Sequence, residues 1–321
     1  MVSSNKFLLR EQSLIGQLIC IMLVLIHHWS QKSDLTGIAS IFVPFEYIGG
    51  CACCGFFFFS GYGLFESYNN NSVTFKRLFI RKRFVKVLVP FIFSCLIYYI
   101  IWIFREGQNF TFSIFIMSIL GLNIKINGHF WFMQFLILLY ISLYFSVLFV
   151  KEEKKQIILL IVANILLIVL LGRSCGYISS FGFCIGVMVS HFTKRCAIKL
   201  EKRTLLFTFF FFIICYYFAF YKNIFFKLTF TLSLFAFLPL LFWLSKKIKA
   251  SKVLLWLAGY SYYFYLTNAM ALIINAYAFG KNMNVLGLIL YIVFNVFLGI
   301  VLKTIIDGFT KIISCYKISR K

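Results

Sequence analysis

Apolar segments of membrane-crossing length recur along the whole chain, and this feature constrains the fold more than any other. The first segment is Ser13–Gln31, SLIGQLICIMLVLIHHWSQ. A hydrocarbon core about 30 Å thick needs about 20 apolar residues in a helix. Ten such segments are predicted between charged or turn residues: 13–31, 42–67, 84–104, 128–150, 156–172, 175–192, 204–221, 225–245, 253–279 and 284–306.

Residues 110–123 are apolar but too short to cross a membrane easily, so we expect a re-entrant or interfacial segment there. No polar stretch is long enough to form a soluble domain. The sequence therefore predicts an all-α fold, a polytopic transmembrane helix bundle that forms one integral-membrane domain over residues 1–321. We expect the first span to be retained, because no small-residue cleavage site follows it.

The composition excludes a water-soluble protein, since 62% of the residues are hydrophobic and only 13% are charged. The net charge of +23 could indicate binding to nucleic acid, but the basic residues form short clusters between apolar segments. This distribution is typical of the positive-inside rule. With a cytoplasmic N-terminus, 25 of the 32 Lys and Arg residues fall on the cytoplasmic side. We therefore expect both termini in the cytoplasm, lipids as partners and no nucleic acid.

The ten cysteines follow no metal-binding or redox spacing. Cys51, Cys53 and Cys54 lie among small residues inside an apolar segment, where such residues let helices approach closely. A metal site is the alternative, but no histidine or carboxylate stands between or directly beside them in sequence. We expect no metal.

Two adjacent histidines end the first span, where a lipid-facing helix has no use for imidazoles. His28 follows Gln17 by eleven residues, about three helical turns, so the two side chains share a face. His27 points about 80° away from that face. The alternative is an interfacial histidine pair, with Trp29 in the aromatic belt of the outer surface.

The second span contains FFFFSGYGLFESY, in which Ser60, Gly61 and Gly63 favour either close helix packing or the lining of a substrate site. Ser60 is not expected to be a nucleophile, because no GxSxG motif surrounds it. On the outer side, His129 and Trp131 begin the fourth span, and Glu46 lies near the outer start of the second. A Glu46 carboxylate that paired with His28 would raise the basicity of its imidazole.

Arg83 and Lys86 lie three residues apart where the third span leaves the cytoplasm, so we expect them on one helix face. Arg83 could hold a phosphate through two hydrogen bonds, with Lys86 as a second positive charge. The alternative is that these residues set the topology and contact lipid headgroups.

Five motifs occur in an order that resembles the membrane acyltransferase-3 family. They are the first span ending in His-His, the run FFFFSGYGLF, the basic RKRFVKVLVP, the WFM span, and LAGYSYYFYLTN at residues 257–268. The resemblance extends from about Ser13 to Asn268. It implies an integral-membrane enzyme that moves an acyl group, usually acetyl, from cytoplasmic acyl-CoA to an acceptor, commonly a sugar of a surface or secreted polysaccharide.

The resemblance also implies roles for individual residues. His28 matches the essential histidine of the family, Gln17 the basic position eleven residues before it, Arg83 and Lys86 the basic pair, and Trp131 its tryptophan. We therefore predict His28 and Glu46 as the catalytic residues. The residues predicted to bind the co-substrate acetyl-CoA are Gln17, Ser60, Arg83, Lys86 and Trp131.

In this mechanism His28 is a general base for an acceptor hydroxyl that arrives from outside, and an acyl-histidine intermediate is the variant. We expect Arg83 and His28 in opposite leaflets, bridged by an extended donor. The Phe- and Ile-rich composition suggests a bacterial host, so we expect a multi-pass protein of the bacterial cytoplasmic membrane.

Some positions depart from the family pattern. Gln17 and Leu18 stand where related members often have Lys-Gly, Asn268 stands where many have histidine, and Gly50-Cys51 replaces a frequent basic residue. These departures leave open an altered donor or a catalytically inactive relative. Two other classes also stay open, a transporter or flippase for lipid-linked sugars and an export partner for polysaccharide.

Overall fold

The computed structural model describes residues 7–106, 111–120, 122–172, 175–194, 201–279 and 285–318, and in these ranges it contains helices and no β-strand. The α-helices are α1 (Arg10–Ser30), α2 (Gly49–Asn70), α3 (Ser72–Arg83), α4 (Val89–Glu106), α5 (Phe112–Ile119), α6 (Trp131–Phe149), α7 (Glu153–Leu171), α8 (Phe181–Thr193), α9 (Lys202–Phe220), α10 (Phe226–Lys247), α11 (Lys252–Ala258), α12 (Ser261–Phe279) and α13 (Val285–Ile318). The all-α prediction is confirmed for the described residues.

Within the described ranges, four shorter helical segments connect these helices. They are 3₁₀ turns at Gly37–Phe45, Gly128–Phe130 and Cys175–Ser180, and a π-helical turn at Phe84–Leu88 that joins α3 to α4. The predicted short segment at 110–123 contains α5, a helix of eight residues.

Seven of the described helical segments are long and apolar enough to cross a membrane. An eighth arises if the 3₁₀ helix Gly37–Phe45 and α2, which are bent by 46° relative to each other, form one broken span. The predicted span at 175–192 is a 3₁₀ turn followed by a 13-residue helix, and the one at 253–279 is divided into α11 and α12. The count of ten spans and the cytoplasmic termini stay predictions.

The chain folds into two compact units whose segments alternate along the sequence. The first unit comprises the described parts of Met1–His27, Pro44–Lys76 and Phe135–Ala258. In this unit, glycines bring the backbones of α2 and α8 close together. A Cβ atom on Gly186 would overlap the carbonyl oxygen of Phe58, so only glycine permits this approach.

Polar side chains join α2, α7 and α8 within the first unit. Ser190 donates a hydrogen bond to Glu66 over 2.8 Å, and Glu153 pairs with His191 over 2.6 Å and with Lys194 over 2.9 Å. Ser190 and His191 are buried, and buried polar groups need partners in an apolar environment, so these contacts hold the three helices in register.

The second unit comprises the described parts of His28–Val43, Arg77–Gln134 and Gly259–Lys321. Its helices α4, α12 and α13 pack around aromatic side chains. Gly299 on α13 faces the ring of Phe264 on α12, where a Cβ atom would leave too little space for the ring. The boundary between the units falls between His27 and His28. The prediction of a single domain over 1–321 stays a prediction.

Candidate active site

A stacked pair of histidines is the central feature of the second unit. His28, two residues before the end of α1, lies parallel to His129, with ring centroids 3.9 Å apart and planes inclined by 5°. Both side chains are half-buried. We call His28 and His129 the histidine pair. The sequence placed each on the outer side of the bundle, but it did not bring them together.

Both backbone polar groups of His129, the amide N–H and the carbonyl oxygen, are hydrogen-bonded. The His129 amide donates to Oδ1 of Asn127 over 3.0 Å, and the phenol of Tyr265 donates to the His129 carbonyl oxygen. Asn127 and Tyr265 are both buried. These bonds fix the 3₁₀ turn that presents His129 to His28. Tyr265 belongs to the segment SYYFYLTN, so two of the motifs that resemble the family meet at the histidine pair.

Trp131 is the first residue of α6 and is half-buried. Its neighbour Phe132 packs against Tyr265 with ring centroids 5.2 Å apart. The predicted tryptophan therefore lies on the segment that carries His129.

The third span contacts the same turn. Phe130 packs against Phe91 and Tyr98 of α4, with ring centroids 5.1 Å and 5.5 Å apart. The Tyr98 hydroxyl donates to the carbonyl of Leu266 over 3.2 Å. The turn that carries His129 is thus enclosed by α4 and α12. Neither Tyr98 nor Tyr265 was predicted as a site residue, and the only signal for Tyr265 was its place in the SYYFYL motif.

The basic residues of the third span lie in what we call the basic segment, residues 77–88. Arg83, the last residue of α3, is half-buried, whereas Lys86 in the π turn is exposed. The prediction that they share one face assumed a regular α-helix. A π turn contains more residues per turn, so a spacing of three residues separates the two side chains further around the axis.

The basic segment and the histidine pair both contact α12. Tyr262 of this helix donates a hydrogen bond to the carbonyl of Val87 over 2.8 Å, and Tyr265 donates to the carbonyl of His129. Lys86 precedes Phe91 and Tyr98, the two neighbours of Phe130, by five and twelve residues. At about 1.5 Å per residue, the turn that carries His129 lies about 8–18 Å along the helix from Lys86. This is less than the roughly 30 Å of a full hydrocarbon core.

Gln17, Glu46 and Ser60 belong to the first unit and are half-buried. Gln17 and His28 lie on one uninterrupted helix, α1, as the spacing argument requires. The pairing of Glu46 with His28 stays a prediction, and so does the role of Ser60. The next residue, Gly61, packs against the Phe183 backbone, which supports the helix-packing interpretation of this motif.

The two adjacent histidines have different surroundings. The His27 ring packs against Gly49 and hydrogen-bonds the backbone of Phe45 and Glu46, so it stabilises the bend before α2. Trp29 is 0% exposed and packs against Phe42. A fully buried Trp29 does not belong to an aromatic belt at the protein surface, which disfavours the interfacial interpretation.

The cysteines of α2 are packing residues in the structure. Cys51, Cys53 and Cys54 are buried free thiols, and Cys20 of α1 lies against Gly55. In the described ranges, no group of three or more His, Cys, Asp or Glu side chains is arranged to hold a metal ion.

A comparison with known protein families agrees with the motifs. No curated protein and no solved structure matches the chain significantly. A family model described as an acyltransferase domain matches residues 15–304 of the 321. The match extends from α1 into α13 and includes both histidines, the basic segment and the SYYFYLTN motif. The resemblance inferred from the motifs is therefore confirmed, and the chain belongs to the acyltransferase-3 family of membrane acyltransferases.

Proposed function

We propose that this protein transfers an acyl group, most simply acetyl, from cytoplasmic acyl-CoA to a hydroxyl group of a cell-surface or exported glycan. The observation that carries the proposal is the histidine pair, held by Tyr265 at the point where the family motifs converge. The setting we propose is the cytoplasmic membrane of a bacterium, with membrane lipids around the bundle.

The donor would be held at the basic segment. Between Arg77 and Tyr98 the chain carries five basic residues and no acidic one, which suits the phosphates of a CoA nucleotide. Arg83 is half-buried and can offer a planar pair of N–H donors, while Lys86 adds a positive charge. The modest distance between this segment and the histidine pair allows an extended donor arm to reach both.

His28 would act as the general base. Its imidazole takes the proton from an acceptor hydroxyl, the oxygen attacks the thioester carbonyl, and the C–S bond breaks. The proton then passes to the departing thiolate, so that the products are an O-acyl ester and free CoA. General base catalysis of this kind contributes about 10²–10⁴ in rate. An acyl-histidine intermediate is the alternative route through the same residue.

An ion-coupled transporter is the main competing class, since it would also be polytopic. The buried side chains in the described part of the chain include no Asp, Glu, Lys or Arg. The buried histidine of the described residues, His191, is bound to Glu153. Coupled transporters usually place several charged groups inside the bundle, so this composition favours the enzyme.

The test uses a deletion strain complemented with wild type, His28→Ala or His191→Ala at matched membrane levels. His191 is a buried histidine of the first unit and serves as the control. We expect wild type and the control to restore base-labile acyl groups on the surface glycan. We expect His28→Ala to fall by at least about 100-fold. Equal restoration by His28→Ala would refute the catalytic assignment, and loss of glycan export instead would indicate a transporter.

A further inference from the structure

Three asparagines lie fully buried between α12 and α13. Asn268, Asn275 and Asn295 are each 0% exposed. Among the described residues, no hydrogen-bond partner exists for Nδ2 of Asn268, Oδ1 of Asn275, or either amide atom of Asn295. An unpaired amide in an apolar interior is costly. We call Asn268, Asn275 and Asn295 the amide cluster.

The remaining polar atoms of the cluster are tied to the two helices. Tyr291 donates to Oδ1 of Asn268, and Nδ2 of Asn275 donates to the carbonyl of Gly287 over 2.7 Å. Thr267, next to Asn268, approaches the Asn295 backbone carbonyl over 3.5 Å. The three amide groups therefore lie along the interface of α12 and α13. One amide atom of Asn268, one of Asn275 and both of Asn295 have no hydrogen-bond partner among the described residues.

Along α12, the contact with the basic segment comes first, the contact with the histidine pair second, and the amide cluster last. Tyr262 contacts the basic segment, Tyr265 contacts the histidine pair, and Asn268 and Asn275 follow on the same helix. At about 1.5 Å per residue, these positions lie about 4.5, 9 and 20 Å from Tyr262 along the axis. A donor that enters from the basic segment reaches the histidines before it reaches the amides.

We propose that the amide cluster is the acceptor subsite and that it binds neutral hydroxyl groups of a sugar. Each hydroxyl both donates and accepts, which matches the open donors of Asn268 and Asn295 and the open acceptors of Asn275 and Asn295. No ionisable Asp, Glu, Lys or Arg side chain is buried in the described residues around it, so a charged acceptor group would have no counter-ion. The inference rests on the proposed function, because it requires an acceptor.

The decisive variant is Asn295→Leu, since leucine has a similar volume and removes both open amide atoms. Asn164→Leu is the matched control, because Asn164 is also 0% exposed but lies on α7 in the first unit. Two quantities are measured: the initial rate of glycan O-acylation in the complemented strain, and the shift in melting temperature that free CoA causes in the purified protein.

We expect Asn295→Leu to lower the acylation rate about tenfold, as the loss of one or two neutral hydrogen bonds implies. We expect it to keep the CoA-induced melting shift. The Asn164→Leu control should acylate within about twofold of wild type once rates are divided by the amount of folded protein. Asn295→Ser, which is smaller and still polar, is judged by the same two measurements if the leucine variant does not fold.

A normal acylation rate in Asn295→Leu would overturn the proposal and leave the cluster as a site for buried water. Loss of the CoA shift would also overturn it, because the cluster would then belong to the donor. These outcomes are separate from failure of the enzyme assignment, which would show as acylation that persists in His28→Ala or is absent in wild type.

Discussion

Replacing Tyr265 by phenylalanine removes the phenol that donates to the His129 carbonyl, while the ring can keep its place 5.2 Å from that of Phe132. The bond is partly buried, and a carbonyl that loses its donor in such a position costs about 1–3 kcal/mol. If misplacing the histidine pair raises the activation free energy by this amount, we expect kcat to fall about 5–150-fold, since about 1.4 kcal/mol corresponds to a factor of ten. The KM for acetyl-CoA should change by less than about twofold.

The matched control is Tyr262→Phe, the same chemical change one helical turn earlier. Tyr262 donates to the carbonyl of Val87 in the basic segment over 2.8 Å. Because this bond positions the donor side, we expect the KM for acetyl-CoA to rise about 2–10-fold, with a smaller change in kcat. Thiol release from acetyl-CoA is measured in membranes that contain the acceptor glycan, at matched amounts of folded protein.

The two variants should change different kinetic constants, kcat for Tyr265→Phe and the KM for acetyl-CoA for Tyr262→Phe. A merely structural role for both tyrosines would lower the yield of folded protein and leave kcat and KM per folded molecule unchanged. If Tyr265→Phe raised the KM for acetyl-CoA and left kcat intact, the idea that Tyr265 positions the histidine pair would be wrong.

Two further comparisons test the packing and the donor site. Gly186→Leu should separate α2 from α8 and lower the melting temperature sharply. A Cβ atom at Gly63 meets no atom within 4 Å, so Gly63→Ala should melt within about 2 °C of wild type. Equal melting temperatures of the two variants would contradict the close packing of α2 on α8. Arg83→Gln should raise the KM for acetyl-CoA about 10–100-fold. Lys86 is exposed in the π turn, so Lys86→Gln should raise this KM less. A larger effect at Lys86 would make Lys86, and not Arg83, the main phosphate ligand.

The apolar pattern predicted most helices well because membrane spans leave a strong compositional signal. The first predicted span, 13–31, corresponds to α1, Arg10–Ser30, and the fourth, 128–150, to the turn and helix from Gly128 to Phe149. The break between α11 and α12 was missed, because apolar residues continue across it. The π turn was also missed, since its residues are as apolar as those of a regular helix.

The candidate site was predictable only in part. The isolated polar residues of apolar segments identified His28 and Trp131, because such groups are rare inside spans. The stacking of His28 on His129 depends on helices that are remote in sequence, so no local pattern could reveal it. The burial of Trp29 was hidden for the same reason, since a tryptophan at a span end has the same sequence signature in an interface and in a core.

The π turn at Phe84–Leu88 determines which sequence changes this part of the chain tolerates. Its hydrogen bonds close over five residues instead of four, so it amounts to one inserted residue in an α-helical path. Deleting a residue there would rotate α3 and its cations by about 100° relative to α4. In an alignment of relatives, substitutions should therefore accumulate between Arg83 and Pro90 while gaps stay rare, because the length of this stretch encodes the direction in which the positive charges point.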